Sequence, residues 1–229
     1  MSIVLSNLLH YQGSVVVTDP KGELAAVTAA HRAERFGQKV VIVNPWGLHG
    51  LPQHRINPLQ SLIDMAGDPA RQRGLTDEAR TKTMQILPEP EDARNVFFRN
   101  GSRGLIHPCL LDLALHAPER CTLPELWRVI ASPRRFARAV ARMQKSDALG
   151  GILADLGDDL AAKMEDSPEQ FEDFRSGALQ QLAIFEPGSY LAEAVSGNDV
   201  PLADLKTATS AFTWCCRPSE LFRMARRSA

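Results

Sequence analysis

The sequence predicts an α/β fold in which a parallel sheet is interrupted by an all-α insertion. Two short β-branched runs near the start flank a helix-periodic stretch, a long middle region carries almost no strand signal, and an apolar run returns near the end.

The first run, Ser14-Val15-Val16-Val17-Thr18, is continuous rather than alternating, as expected of a strand covered on both faces. It stops at Asp19-Pro20, because proline cannot donate to a strand ladder. Over 22–35, Leu24, Val27, Ala30 and Ala33 recur at helical spacing, and Gly37 follows where a helix ends. A second buried-type strand, Lys39-Val40-Val41-Ile42-Val43, ends at Asn44-Pro45. Strand, helix and strand in this order make a βαβ unit, with a right-handed parallel crossover expected. Ahead of it, Ile3, Val4, Leu5, Leu8 and Leu9 predict a helix that buries these side chains against Val15 and Val17.

Asn57-Pro58-Leu59 and Pro88-Glu89-Pro90 then punctuate short helical patterns, and the region 92–187 reads as helices over 103–115, 123–130, 133–145, 152–165 and 168–185. Thr122 and Ser132 are placed to cap two of them, each with proline in the first turn. The run 211–216, led in by Asp204-Leu205-Lys206, predicts the returning strand. The expected organisation is therefore an α/β segment over 1–91, an all-α insertion over 92–187, and a return to the α/β segment with a basic tail over 188–229.

Composition excludes several classes. Hydrophobic residues make up 44% and charged residues 23%, which suits a globular chain. Lys and Arg total 26 against 27 Asp and Glu, so any nucleic-acid contact has to come from a local patch. The cysteines, Cys109, Cys121, Cys215 and Cys216, form no C-x-x-C pair, and the six histidines show no ligand spacing. Reduced thiols, no metal and a cytoplasmic location are the expectation. No window reaches the length of a membrane-spanning helix, and residues 1–9 lack the flanks of a signal peptide.

The segment from Gly13 through Asp19-Pro20-Lys21-Gly22-Glu23-Leu24 resembles the strand-turn-helix signature of type IV secretion coupling proteins, the conjugative DNA-transfer ATPases. The resemblance continues through Asn7-Leu8-Leu9, 39–45, Asn57-Pro58-Leu59 and Phe97-Phe98-Arg99-Asn100-Gly101-Ser102-Arg103. It implies a RecA-like sheet of the P-loop NTPase type, here partial, with an inserted all-α domain. It also implies ATP and magnesium as cofactors of full-length relatives, and a membrane-associated homo-hexamer at the cytoplasmic face of the inner membrane. The implied partners are single-stranded DNA with its relaxase and the secretion-channel proteins.

The sequence departs from that family in its catalytic parts. A phosphate-binding loop needs glycine-rich amides followed by a lysine that reaches the outer phosphates. None of the six lysines follows a glycine, and Cys216 is followed by Arg217-Pro218 rather than by an acidic Walker B pair. The expectation is a chain without ATPase activity of its own.

Two sets of site residues emerge. By family resemblance, Asp19, Lys21 and Glu23 lie at the carboxyl end of a sheet strand, where α/β folds gather ligands such as a nucleotide cofactor. The bland alternative makes the same stretch a turn in which Asp19 caps the helix. Arg134, Arg138 and Arg142 fall at four-residue steps on one helical face and are candidates for nucleic-acid or partner binding, against the commoner reading of a solvated face. The tail arginines 217, 223, 226 and 227 add local charge. Trp46, Trp127 and Trp214 are too far apart for a base-stacking set. No G-x-S-x-G elbow supports a hydrolase, and no G-x-G-x-x-G supports a dinucleotide enzyme. The leading functional expectation is part of a coupling protein linking DNA and protein substrates to the conjugation channel. The alternative is a stand-alone, non-catalytic cargo- or channel-binding module.

Overall fold

The computed structural model describes residues 2–90, 92, 95–200 and 210–215. The described chain divides into two compact units, one comprising Met1–Asn57 with Glu193–Arg227 and the other centred on Pro58–Ala192. The division at 57/58 lies well before the expected 92, because the helices that follow Pro58 pack with the helical region rather than with the sheet. The expected lead-in at 204–206, Cys216 and the basic tail fall outside the described residues.

The first unit is built on three parallel strands, β1 (Val15–Asp19), β2 (Lys39–Val43) and β3 (Ser210–Cys215), in the order β1-β3-β2. The returning strand therefore lies between the two strands of the βαβ unit, pairing Val16 with Phe212 on one side and Val41 with Phe212 on the other. In this register one sheet face carries Val41, Val43 and Phe212, which pack with Ile56, Ala194 and Val200. The opposite face presents Ile42 and Cys215 to Ala25 of α2 (Glu23–Phe36). Gly37, at φ 62°, ends α2 in the left-handed conformation that glycine adopts without a Cβ penalty.

The first helix, α1 (Ser2–His10), differs from expectation. It docks chiefly on α2 and not on β1: Leu8 is buried, whereas Ile3 and Val4 remain exposed. The cause is polar. Arg32 of α2 is 1% exposed and donates to the carbonyls of Leu8, Tyr11 and Gly13. Gln38 donates to the Gln12 carbonyl at 2.7 Å, and a His31 ring nitrogen lies 3.0 Å from the Leu9 carbonyl. Backbone acceptors at the end of α1 and in the following linker are thereby satisfied, that of Leu8 in a buried bond.

The second unit consists of α3 (Gln60–Ala66), α4 (Leu75–Ile86), α5 (Val96–His116), α6 (Leu123–Ala131), α7 (Pro133–Met143), α8 (Ile152–Asp166) and α9 (Pro168–Leu182). Residues 103–185 contain no strand, as the sequence pattern requires. The two caps form as expected: Thr122 Oγ1 accepts from the Glu125 N–H at 3.3 Å and Ser132 Oγ from the Arg135 N–H at 3.4 Å. The 21-residue α5 is the central helix, packing against α4, α6 and α9. Its residues Leu105, Ile106, Cys109, Leu110 and Leu111 are almost fully buried.

Where the chain leaves and rejoins the sheet unit, two segments are held side by side. Arg55 and Asp199, 144 residues apart, form a bidentate pair with bonds of 2.8 and 3.1 Å, and each also bonds the other's backbone. The Ile56 N–H donates to the Ala194 carbonyl at 2.9 Å. The side-chain hydrogen bond from Arg55 lowers the Asp199 pKa below its ordinary value. The stabilisation is thus present above the ordinary carboxylate range and is lost as pH falls through the lowered value. Asp199→Asn should cost about 0.5 kcal/mol at neutral pH and flatten part of the loss of urea midpoint between about pH 5 and pH 2, the pair being half exposed. An unchanged acid limb would show that the pair forms no more in the folded state than in the unfolded one.

Candidate functional site

At the carboxyl end of the sheet, the turn after β1 meets the loop after β2. Asp19 is buried, and its Oδ2 accepts from the Ala25 N–H at 2.9 Å, so it ties down the first turn of α2. Lys21 is exposed and Glu23 half-buried, and the Lys21 carbonyl lies 2.8 Å from His49 Nε2. Across from them, the Asn44 side chain bonds the backbone of Leu48 and Leu51, which fixes the loop over Asn44 to Leu51. Of the three residues expected at this edge, Lys21 is exposed, Glu23 is half-buried in the first turn of α2, and Asp19 is committed to holding the helix.

The helical unit holds the second set. An open cleft of about 480 Å³ lies between α6 and α7 beside the end of α5, with a floor that includes Leu113, Ala117, Val129 and Ala139. Its rim carries Arg120, Arg134, Arg135, Arg138 and Arg142. The stripe read from the sequence is present, but its members differ. Arg142 donates through Nε to Asp112 at 2.8 Å and through a terminal nitrogen to the other oxygen of the same carboxylate. That hydrogen bond raises the Arg142 pKa above its ordinary value. Among the described residues, Arg134 and Arg138 make no side-chain hydrogen bond or ion pair, and both are exposed.

Two buried carboxylates organise this rim. Asp112 is fully buried and holds Arg142 from below, and Glu125, 5% exposed, receives Arg120, Arg128 and Arg135, the latter two at 3.4 and 3.3 Å. A carboxylate removed from water needs such partners, and the fork of a guanidinium supplies two donors at fixed geometry. The paired arginines are therefore oriented, while among the described residues five guanidinium groups face a single lining carboxylate. Arg120, Arg135 and Glu125 escaped the sequence reading. Arg135 lies one residue off the stripe, Arg120 sits in a connecting turn, and Glu125 has the position of an ordinary first-turn acid. Helical periodicity describes the face of one helix and carries no information about what a neighbouring helix adds.

Behind the cleft, His116 Nδ1 lies 3.0 Å from Asp112 Oδ1 and its Nε2 3.1 Å from Ser146 Oγ, which accepts from the Ala148 N–H at 3.2 Å. The residue types match a hydrolytic triad, yet Asp112 is already held by Arg142, and neither His116 nor Ser146 lines the cleft. The geometry is that of a tie between the ends of α5 and α7. Among the described residues no group of His, Cys, Asp and Glu is arranged to hold a metal, and no helix is long and apolar enough to cross a membrane. Burial pushes the Cys121 thiol up to about 12 and raises that of Cys109 as well, so neither is a nucleophile near neutral pH.

These features define a mixed α/β protein with a small parallel sheet and a helical unit bearing a basic cleft. The model of the type IV secretory system conjugative DNA transfer family matches residues 1–219, and the chain belongs to that family. No curated protein matches it. Two of the residues that carried the resemblance, Ser102 and Arg103, hold helices together. Arg103 donates to the Leu87 carbonyl and to Glu89, tying the end of α4 to α5, and Ser102 Oγ donates to the Phe174 carbonyl of α9 at 2.8 Å.

Proposed function

We propose that this chain forms part of the cytoplasmic portion of a type IV secretion coupling protein, linking a DNA and protein substrate to the conjugation channel. The observation that carries the reading is the family match over residues 1–219. The β1-β3-β2 parallel sheet supports its assignment to a RecA-like nucleotide-binding domain, with the helical unit as the inserted all-α domain. In this reading the longer protein works as a hexamer at the cytoplasmic face of the inner membrane, with ATP and magnesium supplied to a site that this stretch completes only in part. Lys21 and Glu23 face that nucleotide edge from the turn after β1. The relaxase with its single strand, and the channel proteins, are the partners.

The stretch itself contributes no phosphate-loop lysine, since no lysine follows a glycine. Purified alone, it should hydrolyse MgATP at background rate, because nothing positions metal and nucleotide together. Steady turnover that disappears in Lys21→Ala would overturn this. Co-purification of the chain with a relaxase bound to single-stranded DNA tests the linking role directly, and no enrichment over a charge-matched control would count against it.

A further inference from the structure

We propose that the arginine cleft of the helical unit is a docking site for an acidic, extended peptide segment of a partner protein. The proposal rests on the reading above and gives its partner contact a chemistry. Charge is the first argument. Glu125 and Asp112 occupy some of the arginines from below, but Arg134 and Arg138 point two guanidinium forks at solvent with no acid among the described residues to meet them. Guanidinium forks match carboxylates bidentately, and a partly enclosed rim screens such pairs less than a flat surface does.

Spacing is the second argument. Arg134 and Arg138 are one turn apart on α7, about 6 Å along its axis. An extended peptide with an acid at every second residue presents its carboxylates on one side about 7 Å apart, so consecutive acids reach consecutive arginines. The third argument separates peptide from nucleic acid. Sites for single strands combine positive charge with aromatic platforms on which bases stack. Among the described residues no aromatic lines this cleft; its floor is aliphatic, with Leu113, Ala117, Val129 and Ala139, which suits the small apolar side chains between the acids of a peptide.

The test uses the full chain and a short fluorescein-labelled peptide alternating glutamate and alanine, read by fluorescence anisotropy. A glutamine-alanine peptide and an oligothymidylate of similar length serve as comparisons. The double substitution Arg134→Gln with Arg138→Gln removes the two unpaired forks and spares every buried pair, so its urea midpoint should match the parent. The acidic peptide should bind, weaken steeply with added salt, and lose at least tenfold in affinity in the double variant, while the neutral peptide does not bind. Equal binding of acidic and neutral peptides, or no loss in a folded double variant, would overturn the proposal. Tighter binding of oligothymidylate than of acidic peptide, lost in the same variant, would overturn it in favour of nucleic acid. If the peptide fails while relaxase and single-stranded DNA still co-purify with the chain, the cleft assignment falls alone. If both fail, the functional reading falls with it.

Discussion

Gly101→Ala should destabilise the protein by about 1–3 kcal/mol, although alanine in place of glycine inside a helix ordinarily gains about 1 kcal/mol. The reversal follows from the crossing of α5 and α9. A Cβ at position 101 would overlap the Phe174 ring, and the overlap extends to Cγ, the ring's point of attachment, so rotation of the ring gives no relief. Phe174 is itself confined: it is buried and meets Phe97 and Phe98 at centroid distances of 5.5 and 6.2 Å. Ser102 fixes the same crossing by bonding the Phe174 carbonyl. Gly104, three residues on in the same helix, has open space around its Cβ position, so Gly104→Ala should show the ordinary gain. Urea unfolding of the two variants decides the matter. A gain at both positions would mean that the helices do not approach as closely as described.

Arg32→Met should cost about 3 kcal/mol and release α1. Methionine keeps much of the apolar stem but none of the donors, leaving the carbonyls of Leu8, Tyr11 and Gly13 without their partner, the bond to Leu8 being the buried one. The guanidinium also lies 5.5 Å from the centre of the Phe36 ring, and that attraction is lost too. The informative measurement is amide exchange along α1, which should rise to that of a frayed segment while exchange in α5 is unchanged. Unaltered protection of α1 would assign its docking to Leu8 alone.

The regular elements were legible in the sequence because continuous β-branched runs and helical periodicity are local signals. Both early strands and the five helices of the middle region fall within a few residues of their expected bounds, apart from α5, which begins at Val96 rather than near 103. Position 101 explains that difference, since a glycine inside a helix argues against one until the ring it accommodates is known. The placement of β3 between β1 and β2, and the packing of α3 and α4 with the helical unit, depend on contacts distant in sequence. The exposure of Ile3 and Val4 went unforeseen for a related reason: apolar periodicity says that a helix docks, whereas a buried arginine chose the surface. At the cleft, the stripe was visible, and the acids that divide it into held and free arginines were not.

The clasp between Arg55 and Asp199 has a consequence for how such proteins diversify. Because the outgoing and returning segments are already joined within the sheet unit, the ends of the intervening stretch are fixed close together, and the entropy of closing that loop is borne there. The helical unit is in this sense a cassette. Recombination at its two borders, 57/58 and 192/193, would exchange one set of cleft side chains for another while leaving the strand register intact. The sheet and the helical cassette can thus change independently of each other.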